Sequence, residues 1–313
     1  MEQSTLSYEI TGHTRLICLL GSPVAHSKSP LMHNESFRRL GLDFCYLAFE
    51  TPEAALEKTV EGLKLLNCRG FNLTMPCKNK MAALCDHLSP AAQICGAVNT
   101  VVNDGGVLTG HTTDGVGFLR SLKEAGQKFT GKKMVLLGTG GAGTAILVQS
   151  ALDGLGEIAV FSRMSGPHAG RAVQITESLK ARTSCQISLH DYASGELRRQ
   201  IASADFLVNA TNIGMAPEMD RCLIPDASWL SPKLFVADII YNPAETKLLQ
   251  MAKSVGCQTI NGLPMLLYQG AEAFQMCIRD SCLSWHCLLR QRLRKHFQQI
   301  GRNFGYHQRR MYP

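Results

Sequence analysis

A glycine-rich loop in the middle of the chain constrains the fold more than any other feature. Residues 132–137 read as a short buried strand, and Gly138-Thr139-Gly140-Gly141-Ala142-Gly143 follows directly, before an apolar helix expected from Thr144. Glycines spaced G-x-G-x-x-G between a strand and a helix allow a tight turn, close approach of the backbone to a pyrophosphate, and close packing of helix on strand. The positive helix N-terminus then faces the anion. The sequence therefore predicts a dinucleotide-binding unit.

The position of this loop indicates a second domain. The loop begins at residue 138 of 313, so the stretch before it is long enough to bury a core of its own. We expect that stretch to form the substrate-binding half of an enzyme.

Composition and cysteine usage exclude several classes of protein. Hydrophobic residues make up 45% of the chain and charged residues 18%, which is ordinary for a globular protein. No apolar run approaches the roughly 18 residues that a membrane span needs, and the first twelve residues lack the apolar region of a signal peptide. The twelve cysteines follow no metal-ligand spacing. The cysteines therefore predict reduced thiols in a cytoplasmic protein without a metal site. The lack of a long apolar run predicts no membrane partner.

The net charge of +7 is confined to the end of the chain. Residues 276–313 hold eight Lys or Arg and one acidic residue, whereas residues 1–275 hold equal numbers of basic and acidic residues. A nucleic-acid partner would have to bind that tail alone, and we predict none for the rest of the chain.

Strand and helix patterns alternate through both halves, which predicts an α/β protein with mostly parallel strands. In the first half we expect strands at 15–21, 44–49 and 70–74, helices at 29–40, 53–66 and 76–84, a hairpin of 98–102 with 107–109, and a helix at 114–125. In the second half we expect strands at 134–137, 158–161, 206–209 and 234–238, a helix at 169–181 within the polar stretch 162–204, and a helix after the turn at Gly262.

Two positions in the first half have side chains suited to a carboxylated substrate. Ser27 and Ser29, beside a helix N-terminus, can both donate to one carboxylate, or one of them can be an N-cap before Pro30. Lys78 follows a strand and a proline turn, where it can donate a proton to a developing alkoxide or simply be a solvated lysine.

Further candidates follow the hairpin and the second strand of the nucleotide unit. Asn99 can be a ligand or a turn residue, and Asp114 a functional acid or a helix N-cap. Ser162 and Arg163 stand where an NAD site usually has an acidic residue. An arginine there accommodates the 2′-phosphate of NADP, although it can also be an ordinary surface residue.

The order of these motifs resembles the shikimate dehydrogenase family. The motifs are Ser-x-Ser, Asn-x-Thr-x-Pro-x-Lys, Gly-Ala-Val-Asn-Thr, Thr-Asp-Gly, Gly-x-Gly-Gly-Ala-Gly and Tyr-Gln-Gly-Ala-Glu-Ala-Phe, and the resemblance runs from about residue 8 to residue 274. It implies reversible reduction of 3-dehydroshikimate to shikimate with NADPH, on the way to chorismate and aromatic amino acids. Quinate/shikimate dehydrogenases with NAD or both cofactors, and a non-catalytic nucleotide-sensing regulator on the same fold, are the alternatives.

The resemblance implies roles for the matching residues. The catalytic pair would be Lys78 and Asp114. Ligands of the substrate would be Ser27, Ser29, Asn72, Thr74, Asn99, Tyr241 and Gln269. Residues at the cofactor would be Gly138, Gly140, Gly141, Ala142, Gly143, Ser162, Arg163 and Gly262.

The resemblance also implies the domain arrangement. Residues 1–113 and 262–275 would form the α/β substrate-binding domain, and 114–261 a Rossmann-type, doubly wound NADP-binding domain. The C-terminal helix would return to the first domain, with the substrate cleft between the two. We expect a monomer or homodimer that binds small molecules alone.

The chain departs from the family pattern at three places. Thr112 stands where the family usually has Asn, which alters hydrogen bonding near Asp114. Met164 replaces the Thr of an Asn-Arg-Thr adenosine motif, which weakens NADP selectivity and favours dual use of NADP and NAD.

The third departure is the end of the chain. Met276-Cys277-Ile278-Arg279-Asp280-Ser281 is what the end of a common sequencing-library transposon encodes, so we interpret residues 276–313 as an artefactual tail. The rival interpretation is an amphipathic helix bearing Leu289, Leu293, Phe297, Ile300 and Phe304.

Overall fold

The computed structural model describes residues 9–278, which divide into two compact units. The first unit contains residues up to Thr113 and those from Gly270 onward, and the second contains Asp114–Gln269. In the described part of the chain, no helix is both long and apolar enough to cross a membrane. The interpretations of the basic tail after residue 278 lie outside the described residues.

The first unit is a six-stranded sheet with helices between its strands. Its elements are β1 (Arg15–Gly21), α1 (Ser29–Leu40), β2 (Phe44–Glu50), α2 (Leu56–Leu65), β3 (Gly70–Leu73), α3 (Lys78–Leu84), β4 (His87–Leu88), α4 (Pro90–Cys95), β5 (Thr100–Asp104) and β6 (Val107–His111). The strand order is β2-β1-β3-β5-β6-β4, and only β5 runs antiparallel to its neighbours. The prediction of mostly parallel strands is confirmed.

The predicted hairpin is also confirmed. Asp104 pairs with Val107, and Gly105 and Gly106 form the two-residue turn with φ of 62° and 96°. Positive φ at both central positions is what a two-residue hairpin of this kind needs, and glycine adopts it without steric cost.

Two predicted helices of this unit begin later than expected. The predicted helix at 53–66 starts as a 3-10 turn, Glu53–Ala55, and becomes α-helical only at Leu56. The predicted helix at 76–84 starts at Lys78, because residues 74–77 form a turn in which Cys77 N–H donates to Thr74 O at 3.0 Å.

One core of the first unit lies between its sheet and helices α2 to α4. Its most buried members include Cys18, Leu20, Leu56, Phe71, Met81, Val98 and Val101. Alternate residues of β1 and β3 face this core. The candidate site residues follow the carboxyl ends of the same two strands.

The second unit is a fully parallel sheet. Its elements are α5 (Asp114–Glu124), β7 (Lys133–Leu137), α6 (Gly141–Leu152), β8 (Glu157–Ser162), α7 (Ala169–Arg182), β9 (Gln186–Asp191), α8 (Leu197–Ala202), β10 (Phe206–Asn209), β11 (Phe235–Asp238), α9 (Lys247–Ser254), β12 (Gln258–Ile260) and α10 (Leu263–Ile278). The strand order β12-β11-β10-β7-β8-β9 is that of a doubly wound dinucleotide-binding fold. The predicted α/β fold with a Rossmann-type half is confirmed.

Helix α10 contributes to both units. Its residues through Gln269 belong to the second unit, and Gly270–Ile278 belong to the first. In the first unit Phe274 is buried, and its ring lies 5.0 Å from that of Phe37. Cys277 is buried as well, and its Sγ lies 3.0 Å from where a Cβ would stand on Gly70. The helix thus extends to Ile278. The artefactual tail was expected to begin at residue 276, so the first residues of that tail are helical.

Candidate functional site

The loop between β1 and α1 holds Ser27 and Ser29 in a fixed turn. The Glu50 carboxylate, at the end of β2, accepts hydrogen bonds from the Ser22 hydroxyl and from Val24 N–H, the latter at 3.1 Å. Ser29 N–H donates to Ser27 Oγ at 3.2 Å. Neither serine is the N-cap of α1, because that position is Lys28 and no side chain caps the helix.

A buried tyrosine that the sequence analysis missed connects this loop to β3. The Tyr46 hydroxyl donates to Asn72 Oδ1 at 2.8 Å, and Tyr46 is fully buried. Burial raises the pKa of Tyr46 well above its usual value, and a hydrogen bond with the Ser29 side chain partly offsets that rise. The structure therefore brings Ser29 and Asn72 to one hydroxyl. The only sequence signal was a tyrosine at an inward position of β2.

Asn72 and Asn99 belong to one buried hydrogen-bond network. The Asn72 amide donates to Asn99 O at 3.2 Å and to Thr100 Oγ1 at 3.0 Å. Asn99 Nδ2 donates to Thr113 Oγ1 at 3.0 Å, and Asn99 Oδ1 accepts from Thr113 N–H at 2.9 Å. These contacts hold both amides in fixed orientations, as recognition of ring hydroxyls would require.

Thr74 and Lys78 stand at the end of β3, beside that network. Thr74 N–H donates to Leu20 O at 2.9 Å, and Lys78 O accepts from Val98 N–H at 2.9 Å. Both side chains are half-buried. Lys78 is the first residue of α3, and Asp114 is the first residue of α5 in the second unit.

The glycine loop in the second unit has the geometry of a phosphate cradle. Gly138 has φ of +100°, and a Cβ there would stand 2.7 Å from Thr211 Cγ2. A Cβ on Gly143 would stand 2.2 Å from Gly138 O, so only glycine lets α6 begin this close to β7. Gly140 and Gly141 have open space around the same positions. Helix α6 begins at Gly141, rather than at Thr144 as expected. Its first N–H groups therefore belong to the glycine loop, and they have no acceptor within the helix.

Ser162 and Arg163 lie at the end of β8, next to this loop. The hydroxyls of Ser162 and Thr139 are 2.6 Å apart, and both residues are buried. Arg163 is exposed, and Met164 N–H donates to Asp191 Oδ2 at 2.7 Å. The Asp191 carboxylate thus ties the turn after β8 to the end of β9.

The remaining predicted residues of the second unit lie after β11 and in α10. Tyr241 is exposed, one residue after Ile240, whose carbonyl accepts a hydrogen bond from Gly262 N–H at 3.0 Å. Gln269 Nε2 donates to Leu266 O at 3.0 Å. The backbone of Gln269 lies so close to α5 that a Cβ on Gly117 would stand 2.5 Å from its nitrogen.

The donor set fits a dinucleotide. Gly140 and Gly141, which have open space around them, are the N-cap and the first residue of the twelve-residue helix α6. An open helix N-terminus of this kind is the arrangement that holds a pyrophosphate. Among residues 9–278, no group of three or more His, Cys, Asp or Glu side chains could hold a metal ion.

Comparison with known proteins matches both units. Residues 19–101 match the family model described as the shikimate dehydrogenase substrate binding domain. Shikimate dehydrogenase (NADP(+)) of Listeria monocytogenes serotype 4b is 49% identical over 272 residues, which cover 87% of this chain and 93% of that protein.

Two solved structures to which this chain is similar contain bound ligands. Shikimate 5-dehydrogenase from Listeria monocytogenes, in complex with shikimate and NAD, superposes with a TM-score of 0.84 at 49% identity, covering 86% of this chain and 93% of the other. Shikimate 5-dehydrogenase from Thermus thermophilus, in complex with NADP(H) and shikimate, gives a TM-score of 0.71 at 36% identity, covering 84% and 93%.

Proposed function

The chain belongs to the shikimate dehydrogenase family, and on that premise we propose which of its residues bind the substrate, hold the cofactor and move the proton. The resemblance in the order of the motifs is confirmed by the 49% identity to Listeria shikimate dehydrogenase. The protein is an NADP-dependent oxidoreductase that acts on a CH–OH group and interconverts shikimate and 3-dehydroshikimate.

The carboxylate and ring hydroxyls of shikimate are proposed to bind the polar residues of the first unit. The Ser27 and Ser29 hydroxyls would donate to the carboxylate. Asn72, Thr74 and Asn99 would bind the ring hydroxyls, with Tyr241 and Gln269 of the second unit as further ligands. The single observation that carries this assignment is the buried hydrogen-bond network that holds Asn72 and Asn99, two of the proposed ligands, in fixed orientations.

Lys78 is proposed as the proton donor and Asp114 as its partner. When hydride from the reduced nicotinamide reaches the carbonyl carbon, the carbonyl oxygen becomes negative. The Lys78 ammonium would stabilise that oxygen and give it a proton, so that the product is the alcohol. Asp114 would orient Lys78 as an ion pair or carry the proton itself.

The cofactor is proposed to lie along the carboxyl ends of the parallel strands of the second unit. Backbone N–H groups of Gly140, Gly141, Ala142 and Gly143 would hold the pyrophosphate, and the glycine at 138 makes the turn that places them. Ser162 and Arg163 would bind the adenosine ribose and its 2′-phosphate. Gly262 would line the nicotinamide end.

Use of NAD as a second cofactor, with shikimate or quinate, is the runner-up proposal. Met164 offers no side-chain hydrogen bond to a 2′-phosphate, and its N–H is already bonded to Asp191. The Listeria enzyme, at 49% identity, was solved with NAD.

We further propose that the protein works in the cytoplasm as a monomer or homodimer. The ten cysteines of residues 9–278 are free thiols, as a reducing compartment would keep them. Light scattering of the purified protein measures the oligomeric state.

One assay tests these proposals. Purified protein is mixed with shikimate or quinate and with NADP+ or NAD+, and reduced nicotinamide is followed by absorbance. We expect the highest kcat/KM with shikimate and NADP+. Comparable kcat/KM with NAD+ or quinate would favour the runner-up, and no turnover with any pair would leave a nucleotide-sensing regulator.

The proton donor is tested by a matched pair of lysine variants. Lys78→Ala should lower kcat by about 10²-fold or more, while the Kd of NADP+ stays within a few fold. Lys80→Ala, two residues further along the same helix, should keep kcat. An active Lys78→Ala enzyme would contradict the assignment.

A further inference from the structure

A buried aspartate at the end of β11 has no place in the chemistry described so far. Asp238 is 1% exposed, and its carboxylate accepts three hydrogen bonds. Oδ1 accepts from Ile240 N–H at 3.0 Å and from Asn209 Nδ2 at 3.1 Å, and Oδ2 accepts from Thr246 Oγ1 at 2.7 Å. Buried carboxylates are rare unless partnered, and these three donors supply the partners.

The network extends from Asp238 to the segment after β10. Asn209 Oδ1 accepts from Thr211 Oγ1 at 2.7 Å and from Thr211 N–H at 3.1 Å, and Asn209 Nδ2 also donates to Ile213 O at 3.2 Å. The Thr211 methyl group and the Ala210 carbonyl oxygen leave no room for a Cβ on Gly138. The network therefore packs directly behind the glycine loop.

The same carboxylate fixes the segment that carries Tyr241. Ile240 is bonded to Asp238 through its N–H and to Gly262 through its carbonyl. A Cβ on Gly262 would stand 1.8 Å from Ile239 O, so the two segments are in backbone contact. Thr246, which donates to Asp238, also accepts from Leu249 N–H and caps α9, so it anchors the far end of this segment.

We propose that Asp238 is a positioning residue of the reaction, whose carboxylate joins the segments after β10 and β11 so that Tyr241 and the backing of the glycine loop are held in place. This inference rests on the proposed role of Tyr241. Asp238 acts through Tyr241 and Thr211 rather than on the substrate. Without the carboxylate, the Ile240 N–H and the Thr246 hydroxyl lose their acceptor, and the segment between them loses two of its attachments.

A matched control exists at the opposite end of the same sheet. Asp205 precedes β10, as Asp238 ends β11, and it likewise joins neighbouring segments by accepting from Lys133 N–H at 2.9 Å and from Lys132 Nζ at 2.8 Å. Asp205 is more exposed than Asp238, so Asp205→Asn measures what loss of a carboxylate that joins segments away from the proposed site does to kcat.

The experiment compares kcat, KM, the Kd of NADP+ and the unfolding midpoint for these variants of the full chain. Asp238→Ala should lower kcat with shikimate and NADP+ about tenfold or more, because small displacements of a positioned group are costly. Asp238→Asn should recover most of that loss, since its remaining oxygen can still accept from Ile240 and Asn209. Thr246→Val should lower kcat, whereas Thr246→Ser and Asp205→Asn should not.

A double-mutant cycle with Tyr241→Phe or Tyr241→Ala tests the route of the effect. If Asp238 acts through Tyr241, the double variant should lose less than the product of the two single losses in kcat. Should Asp238→Ala fail to fold, Thr246→Val, which removes the hydroxyl that donates to Asp238, takes its place in the cycle with Tyr241. Independent effects, or a kcat of Asp238→Ala equal to that of Asp205→Asn, would overturn the inference. An inactive wild-type chain would instead overturn the proposed function.

Discussion

His33 is a histidine that the fold keeps uncharged. It is buried in the first unit, where its ring stacks on that of Tyr46 at 4.3 Å with an interplanar angle of 4°. Its Nδ1 has no hydrogen-bond partner among residues 9–278. Burial lowers the pKa of His33 from 6.5 to about 3. The ring that stacks on Tyr46 is therefore neutral near pH 7.

This burial predicts a loss of stability in mild acid. Between pH 6.5 and about 3 the unfolded chain binds a proton at His33 that the folded protein does not, so the free energy of unfolding falls as the pH falls. At pH 5 the loss from this group is about 2 kcal/mol relative to pH 8. Denaturant unfolding at a series of pH values between 5 and 8 measures it.

The control for this prediction is an exposed histidine. His33→Phe should remove most of the pH dependence between pH 5 and 7, because phenylalanine fits the aromatic cluster and does not titrate. His168→Gln, at an exposed position before α7, should leave it unchanged. An equal slope in wild type and His33→Phe would refute the linkage.

Local motifs predict single residues only where the chemistry lies in a short stretch. The spacing of Ser27, Ser29 and Lys78 was visible because each lies in a loop with turn residues around it. Tyr46 was not, since its partner Asn72 is 26 residues away and the contact depends on the pairing of β1 with its neighbours. Asp238 was expected only as the end of a strand, and its donors come from Asn209 in β10 and from two positions in the segment after β11.

At the scale of elements, the turn from β7 to α6 is packed so closely that it admits no added methyl group at Gly143. Gly143→Ala would put a methyl group 2.2 Å from a backbone oxygen, which cannot move without moving β7. We expect it to lower the free energy of unfolding by about 1–3 kcal/mol, the usual cost of overpacking. Thermal unfolding without nucleotide measures the change.

Gly141→Ala is the matched substitution in the same helix. No atom lies within 4 Å of the added methyl group, and alanine favours helix over glycine. The midpoint of unfolding should therefore stay the same or rise. An equal loss of stability in the two variants would show that contact with the Gly138 oxygen is not what excludes alanine from position 143.

Two strands of the second sheet that sequence patterns missed share a physical cause. β9 and β12 are the two edge strands of the second sheet, and each pairs on one side only. An edge strand buries few residues, so Gln186–Asp191 has only Ile187 and Leu189 among polar residues and gives no apolar run. The central strands β7, β8, β10 and β11 are buried on both faces and were predicted from their apolar runs.

At the scale of the whole molecule, each ligand should protect its own set of amides from hydrogen exchange. NADP+ alone should slow exchange in the peptide covering 138–144, because N–H groups at the start of α6 have no acceptor within the helix. Shikimate alone should slow exchange in peptides covering 22–30 and 72–78. Protection of 138–144 by shikimate but not by NADP+ would contradict the proposal that the glycine loop binds the cofactor.

The division of α10 between the two units sets an order of events during synthesis. The second unit is one continuous stretch, Asp114–Gln269, whereas the first uses residues 270–278 to cover its aromatic cluster around Phe37. On the ribosome, that side of the N-terminal sheet therefore stays uncovered until residues 270–278 have been made. The dinucleotide-binding unit can close its core while the N-terminal sheet still lacks a helix, which inverts the usual N-to-C order of domain folding.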